Sequence, residues 1–239
     1  MRKAPNSAHA KARGFTLVEL AIALAVIAIL STSVLMAVRV QTTQRQTSDT
    51  RLALDEARSA LLAYAAVNGK LPCPAQGGAP GKGQELARVA GRCPAIRGLL
   101  PWESLGITAI DGWGRRLAYV VTNDFAEDDL LRLDTPGSIQ IAAGGASPAQ
   151  LASDGAVAAA VWSFGSNGSF GTNTDGSQIP PDSSTGADEQ TNGSLTGQIV
   201  VARDLAEDPG SANGVFDDQV IWISRFVLVG RLIEAGRLP

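Results

Sequence analysis

Gly14-Phe15-Thr16-Leu17-Val18-Glu19-Leu20 opens the stretch that decides the fold. From Leu20 to Val38 there follow 19 uncharged residues, mostly Leu, Ile, Val and Ala, so Glu19 is the one charge between Phe15 and Val38. At about 1.5 Å per residue, a helix of this length nearly crosses a ~30 Å hydrocarbon layer. No other run of this kind occurs in the chain. Before it, residues 1–14 carry Arg2, Lys3, Lys11 and Arg13 and no acid. Such a basic flank stays on the cytoplasmic side of a membrane and sends the rest across.

The helix is expected to continue beyond the apolar run. Residues 39–67 contain neither Pro nor Gly. Leu54, Ala57, Leu61 and Tyr64 recur at spacings of three and four, which is one helix face, while Arg51, Asp55, Glu56 and Arg58 supply a polar face. Asn68-Gly69 reads as a C-cap, and Pro72 enforces the stop. One helix from Phe15 to Val67 would be about 80 Å long. Its first half is apolar nearly all round and suits lipid or a helical bundle; its amphipathic second half suits the side of a globular domain.

Residues 70–239 read as that domain. Gly and Pro punctuate short strand-like runs at Leu117–Thr122, Ser138–Ala142, Val157–Phe164, Gln198–Val201 and Gln219–Ser224. Turn-rich segments, not long helical patterns, separate them, so an antiparallel sheet is expected and the fold class is α+β. The Gly-, Ser-, Asn- and Thr-rich stretch 165–197 reads as one long loop, and Arg225–Gly236 as a short terminal helix.

Composition excludes several functions. Hydrophobic residues make up 45% and charged residues 18%, which suits a packed core. Of 20 basic residues four lie in 1–14, so 16 face 23 acids in residues 15–239, a charge of about −7. That acidic balance lacks the basic surface a nucleic-acid binder needs. His9 is the one histidine; without the N-terminal stretch the chain has no imidazole for a Ser-His-Asp triad or a zinc hydrolase. The G-x-S-x-G elbow and the phosphate-binding loop are also absent. Trp162 and Trp222 sit inside apolar strand-like runs, where core packing is the default.

The leader, Gly14, Phe15 and Glu19, in that order before an apolar helix, closely resemble the type IV prepilin signal shared by pilus subunits and the pseudopilins of type II secretion. Two later segments resemble elements of pseudopilin heads. Asp111-Gly112-Trp113-Gly114-Arg115 is similar to D-P-W-G, with Gly112 in place of Pro. Ser163-Phe164-Gly165-Ser166-Asn167-Gly168 is similar to S-x-G-x-D-G, with Asn167 in place of Asp. The resemblance implies a leader of residues 1–14, a helix of 15–69 that spans the inner membrane over 15–38, and a periplasmic head of 70–239. It implies that prepilin peptidase cuts after Gly14 and that the new amine of Phe15 is methylated. It implies no enzymatic activity and partnership with other pilin or pseudopilin subunits. Glu19, a carboxylate in a lipid-embedded helix, would find its compensating cation in the Phe15 amine of a neighbouring subunit.

Cys73 and Cys93 lie in Cys-Pro steps. Outside the cytoplasm such a pair usually forms a disulfide, the alternatives being two buried thiols or a metal pair. The stretch from Gly171 to Gly176 partly matches an EF-hand loop but has Gly where Asp should begin it. Some pseudopilin heads bind calcium in this part of the fold, and Asp175, Asp182, Asp188 and Glu189 could supply oxygens; the alternative is a solvated polar loop. Asp217-Asp218 reads as a turn before a strand, since neighbours on a strand point to opposite faces. A different class remains open as well: an exported or membrane-anchored hydrolase with an ordinary secretory signal, for which Ser31-Thr32-Ser33 offers small residues at a cleavage spacing.

Overall fold

The computed structural model describes residues 16–75, 77, 82–128, 131–145, 149–183, 185–194, 196–206, 208, 210–211 and 213–238, with residues 32–37 described as helical backbone alone. The leader, the cleavage point Gly14 and Phe15 therefore lie outside the described residues. The chain divides into two compact units, one within residues 1–44 and one from Arg45 onward.

Helix α1, Leu17–Asn68, contributes to both units. Within the second, Leu54, Ala57, Leu61 and Ala65 are buried. The last place in the stripe is thus Ala65, not Tyr64. Tyr64 sits at the edge of the stripe, half-buried, and sends its hydroxyl to Glu85. The helix ends as its sequence dictates. Gly69 adopts φ +76 and its N–H donates to Ala65 O at 2.7 Å, a closure that favours glycine.

Beyond α1 come strand β1 (Arg97–Leu99), helix α2 (Trp102–Leu105), β2 (Arg115–Arg116), β3 (Ala118–Val121), β4 (Gln140–Ala142), β5 (Val157–Ser163), β6 (Thr172–Asn173), helix α3 (Ala187–Gly193), β7 (Ile199–Val201), β8 (Gln219–Ser224) and helix α4 (Arg225–Glu234). Among the described residues, the main sheet has four strands in the order β1-β3-β5-β8, all antiparallel. β2 pairs with β6 antiparallel, while β4 pairs with β7 parallel. The parallel pair departs from the all-antiparallel expectation. The long connection between the two strands makes it feasible, since parallel strands cannot be joined by a tight turn.

Side chains of β3 and β5 alternate between two apolar clusters. Tyr119, Val121, Ala159 and Val161 join Leu54, Leu61, Leu228 and Leu232 from α1 and α4. Ala118, Val120, Ala160 and Trp162 join Ile139, Ile141 and Val200 from the β4–β7 side. Every residue of β3 and β5 is buried, so the sheet is covered on both faces and the head has three layers. Stretch 165–197 is not the single loop its composition suggests, for β6 and α3 lie within it.

Candidate functional site

The first site lies at the start of α1. Thr16 N–H donates to Glu19 Oε2 at 3.1 Å, Thr16 Oγ1–H donates to the same oxygen at 3.1 Å, and Glu19 N–H donates to Thr16 Oγ1 at 3.2 Å. This reciprocal exchange is a capping box, which satisfies donors that a helix start leaves open. Glu19 is therefore not a bare carboxylate within its own chain. The Thr16-x-x-Glu19 spacing carries that signal in the sequence itself. Past the cap, Leu17, Val18, Leu20, Ile22, Leu24, Val26, Ile27, Ile29 and Leu30 are all exposed. Apolar side chains thus point outward on every side of this segment, which needs lipid or other helices around it. Among the described residues no helix is long and apolar enough to cross a membrane; the side chains of 32–37, which belong to the same run, lie outside them.

In the second unit, the two head segments singled out in the sequence meet. Asp111 Oδ1 accepts the N–H groups of Trp113 at 2.9 Å and Arg115 at 2.8 Å, and its Oδ2 accepts Ser163 Oγ–H at 2.6 Å. Arg115 in turn donates to Gly165 O and, at 3.0 Å, to Ser166 O. The same junction grips α1: Gly112 N–H donates to Thr50 Oγ1 at 2.9 Å, and a methyl group on Gly112 would lie 2.1 Å from Gln46 O. The backbone approach explains why this position takes glycine, and proline would lose the bond to Thr50.

Cys73 and Cys93 form a disulfide. Glu85, inside the loop it closes, accepts Cys73 N–H at 3.0 Å and Arg88 Nη1–H at 3.1 Å, along with the Tyr64 hydroxyl. Burial and the Glu85 carboxylate push the Tyr64 phenol up to about 12. Arg88 also donates to Leu71 O and Ala126 O. One ionic hub thereby holds the end of α1, the disulfide loop and the sheet side together.

The four acidic residues considered for calcium are not brought together. Asp175 is exposed and accepts Ser177 N–H and Oγ–H, closing the tight turn of 173–177, so no EF-hand loop forms there. Asp182 accepts Thr185 N–H at 3.1 Å. Asp188 pairs with Arg203 at 2.7 Å. Glu189 alone joins an acidic group, and its companions are Asp217 and Asp218, with one oxygen of each residue within 4.8 Å of the others. Asp217 and Asp218 both precede β8, as the sequence reading placed them, and because a strand's two-residue alternation has not begun there, their carboxylates converge.

All three carboxylates are at least nine-tenths buried. Asn167 Nδ2–H donates to both Glu189 oxygens at 3.0 and 3.2 Å, Ser166 and the Asn167 backbone each donate to Asp217 Oδ2 at 2.7 Å, and Asn192 donates to Asp218 Oδ2 at 2.7 Å. Asp217 Oδ1 has no hydrogen-bond partner. Burial, followed by the Asp217 charge, pushes the Glu189 carboxyl up to about 7, and burial drives Asp218 well above the carboxylate range. An all-oxygen set of this kind could hold a hard divalent cation.

Residues 9–35 match the family model described as the prokaryotic N-terminal methylation motif. No curated protein and no solved structure matches the chain. The motif implies processing by prepilin peptidase and anchoring in the inner membrane through the N-terminal helix. Its match runs from the basic leader across the capping box into the exposed apolar turns of α1, and it marks this chain as a type IV pilin- or pseudopilin-like protein.

Proposed function

We propose that this protein is a structural subunit of a type IV pilus or a type II secretion pseudopilus. Prepilin peptidase cuts after Gly14, the amine of Phe15 is methylated, residues 15–38 span the inner membrane once, and the head of 70–239 faces the periplasm. The observation that carries the reading is the methylation motif opening onto a helix segment with apolar side chains exposed all round. Such a segment is stable only among lipid tails or packed against copies of itself and its partners.

Assembly on this reading is an exchange of partners at Glu19. In the lone subunit its carboxylate is held by Thr16. In a filament it pairs with the Phe15 amine of a neighbour, a charge-assisted contact that gains strength in low dielectric. The role is structural, with no reaction assigned to the head. Should the head take a divalent cation, Glu189, Asp217 and Asp218 would hold it, and it would neutralise three crowded acids.

Intact mass of the mature protein tests the processing. The expected mass begins at methylated Phe15. A start at Val34 would instead mark an ordinary secretory cleavage and a released, non-assembling protein. A Gly14→Val variant is expected to keep its leader and stay out of filaments; efficient cleavage of that variant would contradict the reading.

A further inference from the structure

The main sheet has two edges, and they differ. At β1 the outer side is closed, for Ala75 N–H donates to Leu99 O at 2.8 Å and Leu99 N–H to Ala75 O at 3.3 Å. At β8 the outer side is open. Which of its groups face out follows from the pairing. Thr122 N–H donates to Ala158 O at 2.8 Å, so Ala158, Ala160 and Trp162 turn their backbone polar groups towards β3, while Val161 and Ser163 turn theirs towards β8. Ile221 and Gln219 stand opposite Val161 and Ser163 and answer them. Val220 and Trp222 therefore direct both N–H and C=O away from the sheet. Among the described residues nothing bonds to these four groups.

Edge strands are usually blunted by a charge, a proline or a bulge. β8 reads Gln-Val-Ile-Trp-Ile-Ser, with neither charge nor proline, and its register against β5 is regular over 219–223. Residues 219–222 are half-buried, and a groove of about 370 Å³ adjoins the first half of the strand. The charges along this edge run from negative to positive. In the groove, Arg51 and Asp55 of α1 offset each other, Arg203 is taken by Asp188, and Asp204 is left exposed near the start of the strand. At the far end Arg225 donates to the carbonyls of Asp134 and Thr135, which are neutral acceptors. Among the described residues no carboxylate lies within ion-pair distance of Arg225.

We propose that β8 accepts an extended segment of a partner protein as a fifth, antiparallel strand of the main sheet. The segment pairs its backbone with Val220 and Trp222. Antiparallel addition continues the pattern of the sheet and is the more stable arrangement. It also fixes the order of charge in the partner: acidic residues first, beside Arg225, then β-branched or aromatic residues, then basic residues beside Asp204. The inference concerns the head alone and does not depend on the assembly role.

The test uses the full processed chain in detergent. The probe is a fluorescent peptide copying residues 217–225, Asp-Asp-Gln-Val-Ile-Trp-Ile-Ser-Arg, whose order of acids first and base last fits the edge. In the free protein, amide exchange is expected to be fast at Val220 and Trp222 and slow at Ile221 and Ile223. The peptide is expected to bind saturably and to slow exchange at Val220 and Trp222. A peptide with its charged ends exchanged should bind roughly three- to fivefold more weakly, the worth of exposed ion pairs. Val220→Pro removes an N–H that carries no bond in the free protein, so it should abolish binding while thermal unfolding stays cooperative. Two peptides methylated on alternate backbone nitrogens keep the test decisive should that variant not fold. One should bind and the other not, since a single set of N–H groups faces β8. No saturable binding up to the solubility of the peptide, slow exchange at Val220 and Trp222 in the free protein at every concentration, or equal affinities within either pair of peptides would each overturn the proposal. Protection of those amides that disappears on dilution would show that a second copy of this chain takes the edge, and would overturn the assignment to a separate partner.

Discussion

Gly112 and Gly230 show how one atom decides the outcome at single residues. A methyl on Gly112 meets the backbone of α1 at Gln46, which cannot move aside as a side chain would. Gly112→Ala should therefore cost about 2–3 kcal/mol, the range of overpacking at a rigid contact. Gly230, inside α4, has open space where its methyl would stand. Gly230→Ala should stabilise by about 0.5–1 kcal/mol through helix propensity. Urea unfolding of the processed protein measures both, and equal shifts would show the close approach at Gly112 to be unimportant. Glu85 is a third such residue. Glu85→Ala would strand the mostly buried Arg88 and the Tyr64 hydroxyl, at an expected loss of about 2–3 kcal/mol. The same titration measures it, and a loss within error would mean that water replaces the carboxylate without penalty.

The elements divide into those their sequences announce and those they do not. β8 was readable to its boundaries, and β3, β5 and β7 to within a residue or so, because apolar runs flanked by turn residues mark them. α1 was readable because its apolar stretch, its stripe and its Asn68-Gly69 stop agree. β1 is Arg-Gly-Leu and β2 is Arg-Arg, too short for any period to show. α3 holds Asp, Glu, Gln, Thr and Asn with no apolar stripe; it is fixed by its polar side chains, Asn192 with Val201 and Asp218, and Asp188 with Arg203. The acidic trio was hidden for the same reason, since Glu189 and Asp217 are 28 residues apart. Two expected outcomes belong at this scale. Glu19→Val removes the reciprocal bond to Thr16, worth about 1 kcal/mol for a helix cap, yet also removes a charge from lipid. The variant should be processed and membrane-resident but enter filaments poorly; co-assembly at the normal level would mean the carboxylate is dispensable. The disulfide closes a separation of 20 residues, so Cys73→Ala with Cys93→Ala should lose about 3 kcal/mol in the chain-entropy model. Alkylation of exported protein without reduction should label neither cysteine, and labelling of both would contradict the bond.

Over the whole molecule, the buried acids set how stability responds to pH. Glu189 has a folded pKa of about 7 against a reference of 4.5, and Asp218 is raised as well. The native state therefore holds protons that the unfolded chain releases. This contribution is fully present below about pH 4 and is lost as pH rises through 7. In chelator, the melting temperature should fall between pH 5 and pH 7.5, and Glu189→Gln should flatten that fall by roughly 1–2 kcal/mol. Millimolar calcium should restore stability at pH 7.5 and do little at pH 5; a calcium effect equal at both would dissociate the cation from these acids. The closing contacts of the chain carry a further consequence. Arg237 donates to Ala66 O and Val67 O across 171 and 170 residues, and Leu228, Leu232 and Leu238 share a core with Leu54 and Leu61. Synthesis delivers α1 first and these partners last. Until α4 emerges, the apolar stripe of α1 is sticky and β8 has no helix behind it. A chain stalled after Ser224 lacks Leu228, Leu232 and Leu238 against α1, and should remain open to protease where the 239-residue chain resists.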